Sequence, residues 1–305
     1  MIRTAPNPFI GLITAFRVWG QELRAKAPAP TRDKVQHKSG HVTLLGAGPG
    51  AADLITLRGL AALKSADVIY YDRLVDPALL TFAKSGAICI SVGKAPGHHA
   101  VPQEEINARL VHSAQKGRAV VRLKCGDPGI FGRGAEEADA LTRHGIRWTI
   151  IPGVTAACAA AAAADSFLTE RGQTERVVFA TGHRREGEVS DWRASAAPGT
   201  TLACYMGIST VADLQSGLIA AGWPDSCPVE VISKAQTPDQ RVLRGNLNGL
   251  ALLCAGERNL NPAMLIIRWP APITARRSIS PAQRAAGPRV HCAMRTPTMS
   301  SRGST

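Results

Sequence analysis

The sequence predicts an α/β protein of two domains, with a parallel sheet in the first, a mixed sheet in the second and a ligand cleft between them. Three observations predict it. From Val42 to Ile151 short apolar runs alternate with stretches of helical periodicity, the succession that folds as a parallel sheet. From Val177 to Ile267 the apolar runs stand closer together, which fits strands of mixed direction. Glycine-containing loops follow several of the first runs, and in open α/β sheets ligands bind beyond the carboxyl ends of the strands.

Residues 1–40 read as a flexible extension, in which an amphipathic piece, Phe9–Leu23, precedes Pro28, Pro30 and a polar run. The ordered part opens with a strand at Val42–Leu45 and the loop Gly46-Ala47-Gly48-Pro49-Gly50. Leu54, Leu57, Leu60 and Leu63 recur at helical spacing, and the next strand, Val68–Tyr71, ends at Asp72. Further strands are expected at Ala87–Val92, Ala119–Leu123 and Trp148–Ile151, with helices near Pro77–Lys84, Gln103–Lys116 and Ala135–His144. After Pro152-Gly153 an alanine-rich helix covers 155–164, and the second set of strands follows at Val177–Thr181, Thr201–Tyr205, Val229–Ser233, Arg241–Arg244 and Met264–Ile267. The expected domains are therefore 41–168 and 169–270. Residues 271–305, rich in Ser, Pro, Arg and Thr, read as a disordered tail.

The loop after Ala119–Leu123 is the one most suited to a ligand. Gly126, Gly129, Gly132 and Gly134 allow positive φ and close backbone approach, Pro128 stiffens the turn, and Asp127, Arg133 and Glu136 supply charge. Glu136 and Glu137 fall in the first turn of the following helix, where carboxylates favour the positive end of the dipole.

Composition excludes several classes of partner. The net charge is +13, but residues 1–40 hold seven basic against two acidic residues and 271–305 six against none, leaving 23 against 21 in 41–270. A core so close to neutral is a poor binder of a phosphate backbone, so no nucleic-acid partner is expected. No apolar run reaches the roughly 20 residues of a membrane span, so no membrane partner is expected either. The seven cysteines stand singly with no C-x-x-C pair, which speaks against a disulfide framework or zinc ribbon and fits a reducing cytoplasm. His98 and His99 are adjacent with no third ligand nearby, so no metal is expected.

Gly46-x-Gly48-x-x-Ala51, with Asp72 about 20 residues on, also meets the dinucleotide fingerprint. That makes a dinucleotide-dependent oxidoreductase the rival reading, although Pro49 removes a backbone donor from the loop that would cradle a pyrophosphate.

Taken together, Gly46-Ala-Gly-Pro-Gly, Tyr71-Asp-Arg-Leu-Val, Val92-Gly-Lys, Gly97-His-His-Ala-Val-Pro-Gln-Glu-Glu-Ile-Asn, Arg122-Leu-Lys-Cys-Gly-Asp-Pro, Phe131-Gly-Arg-Gly, Pro152-Gly-Val-Thr-Ala, Thr181-Gly-His and Tyr205-Met-Gly resemble the uroporphyrinogen-III C-methyltransferases of the tetrapyrrole methylase family. The resemblance implies a two-domain tetrapyrrole-methylase-like fold, usually a homodimer, with S-adenosyl-L-methionine in the cleft. It implies C-methylation of uroporphyrinogen III at C2 and C7 to precorrin-2, on the way to sirohaem and cobalamin. By the family pattern Pro49, Cys125, Gly126, Asp127, Ile130, Thr155, Ala156, Met206, Ala235 and Ala263 occupy cofactor positions. Arg133, Glu136, Arg171 and Met206 occupy substrate positions, guanidinium groups being suited to a substrate with eight carboxylates. The resemblance makes Asp72 the proton acceptor and Lys94 the donor. A non-catalytic tetrapyrrole- or cofactor-binding relative is the third class. Three positions depart from the pattern: Cys125 replaces glycine, Glu170 replaces histidine, and Arg268-Trp-Pro replaces a glycine continuation. If position 125 needs positive φ, its Cβ costs on the order of 1 kcal/mol, and Cys125→Gly is expected to tighten cofactor binding.

Overall fold

The three central strands of the first sheet are mostly apolar because helices or turns cover both faces. In a computed structural model describing residues 40–93, 101–182 and 191–272, β1 (His41–Gly46), β2 (Val68–Tyr71), β3 (Ile88–Ser91), β4 (Ala119–Lys124) and β5 (Arg147–Ile151) form a parallel sheet in the order β3-β2-β4-β1-β5. Lys94, the His98-His99 pair, the N-terminal extension up to residue 39 and the tail from 273 lie outside the described residues. On one face α2 (Gln103–Gln115) and α3 (Gly134–Arg143) bury Ile106, Leu110, Ala138 and Leu141 against Val42, Leu44 and Val120. On the other, α1 (Leu57–Ser65) and the turn Pro77–Phe82 bury Leu63 and Leu79 against Leu45, Ile69 and Leu123.

Two expected helices are shorter or tighter than the sequence implied. α1 starts only at Leu57, where Thr56 Oγ1 accepts from Gly59 N at 3.1 Å, and Ala52–Leu54 is a separate 3-10 turn. Pro77–Phe82 is also 3-10, begun by Asp76 Oδ1 accepting from Ala78 N at 2.9 Å and by a proline at its start.

The second sheet is mixed, as its spacing predicted. β6 (Arg176–Thr181) runs parallel to β7 (Thr200–Tyr205), and β10 (Ala263–Trp269) lies antiparallel between β7 and β8 (Pro228–Ser233), with β9 (Arg241–Asn246) at the edge. Alternation along β7 sends Leu202 and Cys204 to one face and Ala203 and Tyr205 to the other. The first face is covered by α5 (Val211–Ala220) and α6 (Leu250–Ala255) through Leu214, Leu218 and Leu250. The second is covered by α4 (Ala156–Ala163), whose Ala157, Ala160 and Ala161 pack on Ala203, Ile232, Met264 and Ile266. Alanine suits this place, since a helix without bulky side chains approaches a sheet closely. The described residues all belong to one compact unit, and α4 joins its two sheets: it follows β5 directly and lies on β8 and β10.

The departure at Arg268 has a local reason. Its guanidinium pairs with Glu230 Oε2 at 2.7 Å and donates to Ser166 Oγ at 2.9 Å and Phe167 O at 3.1 Å, fastening the segment after α4 to the sheet.

Candidate active site

The carboxyl ends of β1, β4 and β5 meet at their main chains. Gly48 and Gly126 exchange both backbone hydrogen bonds, at 3.3 and 2.9 Å, and Ala47 N donates to Lys124 O at 2.8 Å. A Cβ on Gly153 would lie 2.3 Å from Gly126 O, so the β5 loop can sit there only without a side chain. Of the four glycines after β4, only Gly126 takes positive φ, at +72°. Gly134 is instead required by space, because its Cβ would stand 2.5 Å from Pro128 O. Asp127 ties the loops further: Oδ1 accepts from Gly129 N at 2.7 Å and Oδ2 from Gly153 N at 3.0 Å. Each of these oxygens keeps capacity for a second donor.

The expectation of strain at Cys125 is corrected. The left-handed residue is Gly126, its neighbour; Cys125 is not among the positive-φ residues, and its side chain packs against the core that holds Leu123 and Ile69. Burial, and secondarily the charge of Asp72, pushes its thiol up to about 11.

From the second sheet, the ends of β7 and β8 and the start of β10 face this cluster. Tyr205 is the link: its hydroxyl shares a 2.6 Å hydrogen bond with Thr155 Oγ1 and accepts from Ala157 N at 3.4 Å. Its ring lies 4.9 Å from Phe131 and 5.8 Å from Phe179. Burial raises its pKa, partly opposed by the bonds from Thr155 and Ala157. Gly50 meets the loop after β8, where a Cβ would stand 2.4 Å from Ala235 O. Ile130, Ala156 and Ala235 share the apolar cluster around Tyr205, and Ala263 is paired with Ser233 at the same sheet end. Pro49 is buried between Gly48 and Gly50, and Met206, half exposed, follows Tyr205. A cavity of about 500 Å³ borders this end, lined by Ile208, Lys234, Cys254, Glu257, Asn259, Leu260 and Asn261.

Backbone strain marks the same place. Five of the seven described non-glycine residues with positive φ are Phe131, Arg133, Met206, Lys234 and Gln236, all on loops at this junction. Each such conformation costs on the order of 1–3 kcal/mol, and functional sites are where such costs collect. Nothing in the residue types announces it.

Arg133 and Glu136 are exposed and joined by two parallel bonds, Nε to Oε1 at 2.7 Å and Nη2 to Oε2 at 2.6 Å. Arg171 is placed elsewhere. Its turn is held by Ala271 N donating to Gln173 O and Glu175 N donating to Gly199 O, at the start of β6 and β7. That is the opposite end of the sheet from Met206, roughly 17 Å away at the rise of a strand. Glu170 there is absorbed in a bridge with Thr174 and a 2.8 Å bond from Gln173.

Glu137, read from sequence as a carboxylate on a helix dipole, is fully buried. Its Oε1 accepts from Arg122 Nε at 2.9 Å, Lys124 Nζ at 2.9 Å and Gln103 Nε2 at 3.3 Å, while Oε2 has no partner among the described residues. Arg122 continues to Asp72 Oδ1 at 2.5 Å. Burial lowers the pKa of Lys124, as does Arg122, against the opposing pull of Glu137 and Asp72. The sequence placed Arg122, Lys124 and Glu137 in or beside recognised motifs, but not their contact between β4 and α3.

The dinucleotide reading fails on topology. A pyrophosphate loop opens directly into a helix, with the ribose acid on the adjoining strand. Here a 3-10 turn intervenes before α1, β4 separates β1 from β2, and Asp72 is engaged by Arg122.

Comparison with known proteins agrees with this geometry. Residues 41–251 match the tetrapyrrole (corrin/porphyrin) methylases. The chain is 45% identical over 247 residues to a siroheme synthase of Zymomonas mobilis and 44% identical over 263 residues to one of Yersinia enterocolitica, covering 81% and 86% of this chain. It spans about half the length of these relatives, 52% and 55%. Among solved structures, uroporphyrin-III C-methyltransferase from Thermus thermophilus, including a complex with S-adenosyl homocysteine, is 33% identical with a TM-score of 0.64, over 75% of this chain and 92% of that one. A cobalt precorrin-4 methyltransferase is 30% identical with a TM-score of 0.66, over 77% and 98%. The fold, the junction of loops and these likenesses agree: the chain belongs to the tetrapyrrole methylase family.

Proposed function

We propose that the junction binds S-adenosyl-L-methionine and that the protein C-methylates uroporphyrinogen III at C2 and C7, giving precorrin-2. The observation that carries this is the main-chain meeting of Gly48, Gly126 and Gly153 opposite Tyr205 and Met206, in a chain that covers 92% of a uroporphyrin-III C-methyltransferase. The residues fit the donor. The Cβ position of Gly126 has no neighbour nearer than 3.8 Å, leaving space between the loops, and Ala235 and Ala263 are small enough for backbone contact.

When bound, the donor supplies an electrophilic methyl: a pyrrole carbon forms the new C–C bond, the C–S bond breaks with its electron pair left on sulfur, and the resulting ring cation loses a proton. The protein's part is alignment, exclusion of water and removal of that proton. Pro49, Cys125, Gly126, Asp127, Ile130, Thr155, Ala156, Met206, Ala235 and Ala263 hold the donor. Arg133, fixed by Glu136, pairs with propionate or acetate carboxylates, with Met206 against the macrocycle. Asp72 accepts the proton and Lys94 returns one. Arg171 reaches a substrate only as part of a surface outside this cleft, as a dimer would provide. Domains 41–168 and 169–270 form the cleft walls, and the protein acts in the cytoplasm.

The test is incubation with S-adenosyl-L-methionine labelled in its methyl group and freshly reduced uroporphyrinogen III. Transfer of two methyl groups to the macrocycle is expected. Binding of S-adenosyl homocysteine without any transfer would leave a binding protein and overturn the catalytic reading.

A further inference from the structure

Arg122 lies on β4 with its side chain almost wholly buried, and it joins its own strand to two further segments at once. Nε donates to Glu137 Oε1 on α3, Nη1 to Leu123 O at 3.2 Å, and Nη2 to Asp72 Oδ1 beyond β2. A planar guanidinium bound along three directions has no rotational freedom left, so the carboxylate it holds inherits a fixed orientation. Glu137 is the counterweight. Fully buried on a helix and held also by Lys124 and Gln103, it cannot follow Asp72 if that side chain moves. Asp72 is the most exposed member, at 31% of its side chain, and its Oδ2 has no hydrogen-bond partner among the described residues. The cluster therefore grips one oxygen of Asp72 and, among the described residues, leaves the other unengaged.

We propose that Arg122, anchored by Glu137, is a positioning residue that sets Asp72 for proton removal. This rests on the reading of Asp72 as the proton acceptor and adds to it the residues that aim it. A charge nearby would not suffice: the geometry assigns the role to the fork, which meets Asp72, Glu137 and the Leu123 carbonyl simultaneously, a reach that a lysine ammonium lacks.

The experiment is a double-mutant cycle on the full chain with Arg122→Lys and Asp72→Asn. Arg122→Lys keeps the buried positive charge, so Glu137 and Asp72 are not left uncompensated. Turnover should fall about tenfold to a hundredfold, the scale of roughly 1 Å of misplacement, while KM for uroporphyrinogen and affinity for S-adenosyl homocysteine stay within about threefold. In the Asp72→Asn background the same change should have less than about a twofold further effect. Full turnover in Arg122→Lys, or an equal fall in both backgrounds, would overturn the positioning role alone. Full turnover in Asp72→Asn would instead remove the acceptor reading and the inference with it. Should Arg122→Lys fail to fold, Glu137→Gln, which leaves the guanidinium in place, goes through the same cycle with the same criteria: its loss of turnover must vanish when Asp72 is already changed.

Discussion

Cys125 and Gly126 divide between them what sequence alone assigned to one position. The left-handed backbone belongs to Gly126, while Cys125 contributes a buried thiol to the first core. Cys125→Gly therefore has no strain to relieve. Affinity for S-adenosyl homocysteine should change by less than about threefold, and stability should fall by about 1 kcal/mol through added freedom of the unfolded chain and lost packing. Calorimetry and urea unfolding measure both, and a clear gain in affinity would restore the strain argument. The thiol, pushed up to about 11, holds roughly one part in ten thousand as thiolate at neutral pH. Maleimide labelling followed by peptide mapping should modify exposed Cys89 and Cys158 well before Cys125 in the folded protein.

Among the elements, strands were the most legible, because burial on both faces writes β1, β2 and β4 as mostly apolar runs, broken by Thr43, Arg122 and Lys124. Their order was not, since the insertion of β4 between β2 and β1 is a pairing between segments far apart in sequence. For the same reason Glu137 looked like a surface carboxylate: its partners come from other elements. Helix α5 carries only Leu214 and Leu218 as fully buried apolar anchors and α6 has six residues, too little periodicity to stand out. The junction of loops yields a ranking that local propensity would not. Gly126→Ala meets no atom closer than 3.8 Å and should cost only the left-handed backbone, about 1–2 kcal/mol. Gly153→Ala has an ordinary φ but would drive a methyl into Gly126 O, so it should be the more damaging of the two in urea unfolding and should abolish binding of S-adenosyl homocysteine. Equal effects would mean that the loops slide apart easily.

At the scale of the whole molecule, acid should loosen the second sheet through Glu230. Burial alone would raise its pKa, but Arg268, Ser166 and Arg244 outweigh that and hold it below the ordinary 4.5. A carboxylate depressed on folding stabilises above its unfolded value, and that contribution disappears as pH falls from about 4.5 through the folded value. Arg268→Gln should lose about 2 kcal/mol at pH 7 and less at an acid pH low enough to protonate Glu230, because protonation removes the partner charge. Unfolding curves at both values check it; a loss independent of pH would assign Arg268 to packing alone. The basic tails are expected to be dispensable for ligand binding, with residues 41–270 keeping their affinity for S-adenosyl homocysteine within about threefold and gaining about 2.7 kcal/mol at a hundredfold excess over Kd. NAD and NADP should give no such gain. One contact reaches further than its size. Gly50 touches the carbonyl of Ala235 main chain to main chain, so on that side the spacing of the two lobes is a fixed length of peptide backbone and owes nothing to side-chain volume. Substitutions at position 235 can reshape the surface offered to a ligand without widening the gap, whereas any residue but glycine at position 50 acts as a wedge. A ligand surface can thus be altered from one side of the contact, while the other side tolerates no side chain at all.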